Sequence, residues 1–368
     1  MSEIQIGRGK SARQAYSFDD ISVAPSRRTR DAADVSMAWK IDAYSFDHPI
    51  VSAPMDSVAS PDSVIAIAGL GGLSVLDLEG LWTRYEDPTA AYEHIFAATK
   101  GDANRVLQRL YSEPIKPELV AARVRQLRDA GITVAGALSP QLTLKFHKTL
   151  VDAGVDIFVI RGTTLSAEHV SSRGEVLNLK ELIYALDVPV IAGGVATYKA
   201  ALHLMRAGAA GVLVGFGGGA THTSADVLGI KVPMATAVAD VAAARREYLD
   251  ESGGRYVHVI ADGAMGRSGD IVKALACGAD AVMVGSPLAR AADAPGRGRH
   301  WGREAAHGDL PRGHIADFGV VGTLNEIMAG PSHTADGTMN LIGAVQTSIA
   351  KCGYNNLKDF QKVEIILN

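Results

Sequence analysis

Four times in this chain a helix-like stretch ends on a small residue or cysteine, then glycine, then a short apolar run. The four are DAGITVAG (Asp129 to Gly136), DAGVDIFVI (Asp152 to Ile160), RAGAAGVLVG (Arg206 to Gly215) and ACGADAVMVG (Ala276 to Gly285). A helix that stops on a left-handed glycine and passes at once into a β-rich run is an αβ connection. Four further runs share the apolar character: Pro49 to Ala53, Gly72 to Leu76, Val188 to Ala192 and Val257 to Ala261. All eight read as continuous apolar stretches, as strands buried on both faces should. Helix-like segments lie between them, such as Lys116 to Ala130 and Thr197 to Ala207. The pattern predicts an α/β fold of the (β/α)8 or TIM-barrel type. A doubly wound sheet is the rival, but it rarely carries eight parallel strands so evenly built.

The chain has 368 residues, which suits a barrel of typically ~250 residues plus insertions. No linker, low-complexity tract or charge block divides it, so residues 1–368 are expected to form one domain, with 295–368 as a loop-rich closing segment. Apolar residues make up 47% and charged ones 21%, which excludes wholesale disorder. A formal charge of −4 argues against a nucleic-acid partner or an anionic membrane surface. The first ten residues lack an apolar leader core and no long apolar run occurs, so a cytoplasmic protein is expected. Two cysteines, Cys277 and Cys352, are too few for a disulfide scaffold or a Cys-rich metal site.

In a (β/α)8 barrel the chemistry sits where strands end and βα loops begin. Met55 and Asp56 follow the first strand candidate, and Gly215 to Ser224 the sixth. Asp262-Gly263 follow the seventh, and Gly285-Ser286-Pro287 the eighth. Glycines at the last two exits allow backbone N–H groups to approach an anion, a recurrent phosphate site of this fold. The plainer reading of Gly263 and Gly285 is a pair of tight turns. A carboxylate at Asp262 beside them tilts the balance, because it would suit the hydroxyls of a ribose.

These stretches resemble the IMP dehydrogenase/GMP reductase family along nearly the whole chain. The matching segments include HPIVSAPMDSVAS from His48, VPVIAGGVAT from Val188, VGFGGGATHTSADVLGIKVP from Val214 and VIADGAMGRSGDIVKALACGADAVMVGSPLA from Val259. The chain looks most like the short branch without a regulatory CBS pair, since only the stretch from Leu81 to Gly131 separates the second and third strand candidates. The resemblance implies a barrel that binds a purine nucleoside monophosphate (IMP, GMP or XMP) with NAD or NADP, a monovalent cation, and assembly as a homotetramer. Carried over by position, Asp262 looks like the ribose carboxylate, and Gly263, Gly285 and Ser286 like the phosphate cradle. Met55 and Gly219 fall on the nucleotide-contacting stretches, and Trp301 and Gly302 where the family's backbone touches the base.

The chemical half departs from the family pattern. Where the family's loop after the sixth strand carries a nucleophilic cysteine, this chain has His222, followed by Thr223. Imidazole is a poorer partner for a purine adduct than a thiolate. Arg161 replaces an acid that resembles a cofactor-side anchor, Gly194 an asparagine and Leu213 an arginine. The segment from Arg303 to Phe318 lacks the Arg-Tyr pair of the dehydrogenases, and Arg297 replaces the glutamate of the reductases. His222 with Thr223 reads either as an acid–base group or as a loop cap, with no second carboxylate identifiable beside it. The basic cluster Arg297, Arg299, His300 and Arg303 reads either as a grip on a dinucleotide phosphate or as a solvated turn. Two functions of different class follow. One is a purine-nucleotide oxidoreductase with altered chemistry; the other is an inactive nucleotide-binding sensor or partner of the active enzyme.

Overall fold

The computed structural model describes residues 3–172, 176–216 and 218–368. Eight parallel strands close into a barrel: β1 (Ile50–Ser52), β2 (Leu73–Asp77), β3 (Ala135–Leu138), β4 (Ile157–Arg161), β5 (Val190–Val195), β6 (Gly211–Val214), β7 (His258–Asp262) and β8 (Ala281–Val284). Each strand pairs with its sequence neighbours, and β8 returns to β1 through Val282–Ile50, Met283–Val51 and Val284–Ser52. The TIM-barrel expectation is therefore met. β1, β2, β3, β5, β6 and β8 are buried along their whole length, and only the ends of β4 and β7 are partly open. That burial is why their sequences run apolar without alternation.

Local chemistry sets the helices between the strands. Pro61–Gly69 starts on the Ser60 cap, whose side chain accepts from Ser63 N, and Tyr198–Arg206 starts on Thr197 in the same way. Pro117–Asp129 and Pro140–Ala153 carry proline in the first turn, where its missing N–H costs nothing. The connection from β2 to β3 consists of three helices, Thr89–Ala97, Ala103–Tyr111 and Pro117–Asp129. One run begins later than its apolar pattern suggests. Ile132 to Val134 are spent on the approach to β3, where Asp156 Oδ2 accepts from Val134 N at 2.8 Å.

Before β1, the hairpin Trp39–Ile41/Tyr44–Phe46 covers the end of the barrel where the strands begin. Trp39 stacks on Phe46 at 5.3 Å and meets the His258 ring at 6.1 Å. Ile41 is fully buried against the first residue of β6: a side chain added to Gly211 would lie 3.2 Å from its Cδ1. After β8 the chain forms the helices Leu324–Ala329 and Leu341–Lys351, the latter packed against Ser268–Ala276. The terminal strand Glu364–Leu367 pairs antiparallel with Ile21–Ala24.

A buried ion pair at the foot of β8 is also where this tail attaches. Arg245 Nη1 lies 2.6 Å from Asp280 Oδ2, with both side chains under 10% exposed. Asp280 also accepts from Val259 N, Tyr256 Oη and Gln361 Nε2, and lies 3.4 Å from Lys358 Nζ. Although burial works to raise its pKa, Arg245 and the other donors hold it below the ordinary aspartate value. Removing one partner of such a pair strands the other, so Asp280→Ala is expected to lower stability by about 3–5 kcal/mol in denaturant unfolding. Because the folded-state pKa is depressed, the carboxylate's contribution is full above the unfolded value near 4 and is lost as pH falls below it. A wild-type stability curve flat between pH 5 and pH 2 would contradict this assignment.

Candidate active site

The carboxyl ends of the strands open onto one cleft of about 340 Å³. Of the residues expected there, Met55, Gly219, His222, Asp262, Gly263, Gly285 and Ser286 all line it. They come from the exits of β1, β6, β7 and β8. Gly215, just after β6, has φ 127°, and a Cβ there would strike the carbonyl oxygen of Asp262 at 2.3 Å. Gly263 has φ 118°, again a conformation that favours glycine. These two glycines let the β6 and β7 loops lie against each other, where Ala264 N donates to Gly218 O at 3.0 Å.

Three of the expected residues do not line the cleft. Thr223 spends its N–H on Arg312 O at 2.9 Å and precedes the short helix Ser224–Leu228. Trp301 is fully buried in a separate apolar cluster with Leu81, Tyr92, Ile95 and Leu107, and its Nε1 donates to Tyr111 Oη at 3.0 Å. Gly302 lies beneath the wall: a Cβ there would fall 2.6 Å from Glu304 Oε2. Its lack of a side chain gives that carboxylate its room.

Arg297 of the basic cluster lies exposed in a turn, as the plainer reading has it, whereas Arg299 and Arg303 are engaged by the protein itself. Arg303 lies 2.9 Å from Asp77 Oδ2 and also bonds Glu79, both at the exit of β2. Burial, with neighbouring Asp56 and Glu79, pushes Asp77 up to about 7 against the pull of Arg303. Arg299 donates to Ile95 O at 2.8 Å and faces Asp317, and Arg297 lies over the Phe96 ring. His300 is buried, with Nδ1 2.8 Å from Ser57 Oγ, and its ring borders the cleft beside Gly285. Burial, then neighbouring His222 and Arg161, holds its pKa down to about 3, so this imidazole is neutral.

A carboxylate does stand near His222, contrary to expectation. Glu304 lines the cleft, and its Oε2 is buried with no hydrogen-bond partner among the described residues. Burial works to raise its pKa, yet His222, Arg161 and Arg303 together bring it down to about 2. It is ionised at neutral pH. The loop carrying His222 is tied to the chain beyond Glu304 by an antiparallel bridge between His222 and Gly313, with His314 N donating to Thr221 O at 3.0 Å. No periodicity marks Glu304 in the sequence. The β2 exit, Asp77-Leu78-Glu79, was legible as an exit but carries no glycine or motif to draw attention.

Arg161 changes the cleft most. Its Nε lies 3.0 Å from Asp262 Oδ2, across the mouth from β4 to β7, with the two side chains 12% and 15% exposed. The carboxylate expected to hold a ribose thus already has one protein partner.

Neither cysteine is near this chemistry. Cys277 follows the helix Ser268–Ala276, where burial pushes its thiol up to about 12, and Cys352 is buried beyond Leu341–Lys351. A protonated, covered thiol is a poor nucleophile. Iodoacetamide at pH 8 is therefore expected to label both cysteines much more slowly in the folded chain than in denaturant. Rapid labelling of the native protein, read by mass spectrometry, would contradict this.

Comparisons with known proteins agree with this geometry. The model of the IMP dehydrogenase/GMP reductase domain matches residues 15–304. Relatives from Mycolicibacterium smegmatis and Mycobacterium tuberculosis, each named an uncharacterized oxidoreductase, are 50% identical over 98% of both chains. An inosine-5'-monophosphate dehydrogenase from Methanocaldococcus jannaschii is 26% identical over 95% of this chain and 92% of its own. The crystal structure of an IMP dehydrogenase/GMP reductase-like protein from Corynebacterium glutamicum superimposes with a TM-score of 0.95, at 49% identity, covering 100% of this chain and 98% of that one. The chain belongs to the IMP dehydrogenase/GMP reductase family of oxidoreductases.

Proposed function

We propose that the cleft binds a purine nucleoside monophosphate and that the chain is an oxidoreductase acting on it without a cysteine adduct. The observation that carries the reading is the shared lining: Asp262, Gly263, Gly285 and Ser286 border the same cleft as Met55 and His222. The phosphate would take backbone N–H groups at the β7 and β8 exits, and the ribose the free edge of Asp262. The base would then reach the centre of the mouth, beside Met55 and His222.

His222 and Glu304 supply the acid–base capacity of this site. An imidazole can receive a proton and return it, and the Glu304 carboxylate stands near this one. A nicotinamide dinucleotide is the redox partner that family membership suggests. The wall at Arg161 does not fit a second ribose held by an acid, because the acid is replaced by a guanidinium already bonded to Asp262. No step is therefore assigned to the dinucleotide. A second reading, a nucleotide-binding sensor or partner without turnover, is favoured by one observation: no cysteine borders the cleft among the described residues.

Calorimetric titration with IMP, GMP and XMP against the corresponding nucleosides tests the binding. The monophosphates are expected to bind and the nucleosides to bind far more weakly; equal affinities would overturn the reading. Asp262→Ala should weaken the monophosphates by roughly 1.5–3 kcal/mol, the scale of a hydrogen bond to a charged group. Reduced-dinucleotide absorbance separates the two readings, since sustained turnover of any of the three nucleotides excludes the sensor. His222→Cys is expected to give no steady dehydrogenase turnover, because loss of positioned acid–base help costs about 10²–10⁴-fold. Multiple turnovers to XMP by that variant would show that the histidine was the sole barrier.

A further inference from the structure

His300 is a buried side chain that the proposed function leaves without a role. The residue is only 4% exposed, and its ring borders the cleft, where a Cβ added to Gly285 would lie 3.1 Å from Nε2. Nδ1 lies 2.8 Å from Ser57 Oγ. Nε2 has no hydrogen-bond partner among the described residues, and it is not one of the polar atoms sealed in the interior. The ring atom that His300 has to spare is therefore the one that opens on the cleft.

The bonds around Ser57 decide what that atom offers. Trp301 N lies 3.4 Å from Ser57 Oγ and can only donate to it, while Trp301 O lies 3.3 Å away and can only accept. No other donor reaches that buried carbonyl among the described residues. A hydroxyl has one hydrogen and two lone pairs. If the hydrogen goes to Trp301 O, Oγ accepts from both Trp301 N–H and Nδ1–H, and every group is satisfied. If it goes to Nδ1, a buried carbonyl is stranded, which is the costlier arrangement. The ring proton therefore sits on Nδ1, and Nε2 presents a lone pair. With its pKa held down to about 3, the ring adds no second proton at neutral pH. A lone pair repels anionic oxygen, so this nitrogen has nothing to give a phosphate.

We infer that His300 binds the nucleoside part of the ligand, its Nε2 accepting one hydrogen bond from a ribose hydroxyl or a base N–H. The inference rests on the monophosphate reading above and adds a specificity: the ligand must bring a donor to His300. Ser57 is a positioning residue, which holds the ring in the accepting tautomer.

Two measurements on the intact chain test this. Nitrogen NMR of protein carrying 15N-histidine reads the tautomer at pH 7, with the His300 signals assigned by their loss in His300→Phe. Nδ1 is expected to be protonated and Nε2 bare, and the Nε2 resonance to move when IMP is added. A protonated Nε2, or one that IMP does not move, overturns the inference. Calorimetric titration then compares IMP with its 2′-deoxy, 3′-deoxy and 1-methyl analogues, which between them remove each donor of the nucleoside. The analogue lacking the donor that meets His300 is expected to bind about tenfold more weakly, the scale of one hydrogen bond, and to leave the Nε2 resonance unmoved. In His300→Phe, IMP should weaken to match that analogue. Equal binding of IMP and all three analogues overturns the inference, as do penalties that all persist in a variant shown by circular dichroism to be folded. Either result leaves the monophosphate reading standing. Failure of IMP, GMP and XMP to bind overturns the reading itself, and the inference with it.

Discussion

One guanidinium holds the top of this molecule together. Arg303 reaches into the exit of β2 and bonds Asp77 and Glu79, two carboxylates that burial would otherwise leave at great cost. Glu79 also accepts from Ser139 N at the exit of β3, so the same contact ties neighbouring strand ends. Once Arg303 is fixed, its neighbours in sequence have little freedom. His300 falls beside Gly285 and against Ser57, Trp301 drops into the cluster around Tyr92, and Glu304 points into the cleft. The wall of the site is thus assembled from outside the barrel, by a segment that arrives after the last strand.

The fold was legible because the barrel repeats one rule eight times. Burial on both faces forces an apolar run in every strand, and closing a helix onto the next strand favours glycine, which marks four of the eight. Asp262, Gly263, Gly285 and Ser286 were legible for a related reason, since they sit at exits whose positions the strands already fix. What the sequence hid was contact across the mouth. Nothing between residue 161 and residue 262 says that those side chains meet, and nothing near residue 304 says that its carboxylate faces His222. Such pairings depend on the diameter of the barrel and the path of the closing segment. The Trp301 side chain was equally hidden: it turns inward because a large ring with one N–H finds an apolar pocket and the Tyr111 hydroxyl.

The site combines features of a binding cleft with a charge arrangement unlike a thiolate centre. A nucleophilic cysteine needs positive surroundings and exposure to its target, and the described residues offer that environment to Glu304 rather than to a thiol. His222 sits on a loop bridged to Gly313, so its position is shared between the β6 exit and the closing segment. His222, Glu304 and the wall that carries them therefore belong to one hydrogen-bonded unit. A change in either strand of that bridge would reach both.

The hairpin from Trp39 to Phe46 gives the barrel a floor. With Ile41 sealed against the start of β6 and Trp39 stacked below β7, the lower end is closed by protein. A molecule entering the cleft therefore comes and goes through the upper opening. If two molecules occupy it together, the deeper one is trapped until the outer one has gone. Order of entry and order of departure would then be mirror images, because the packed interior of the barrel leaves no second way out.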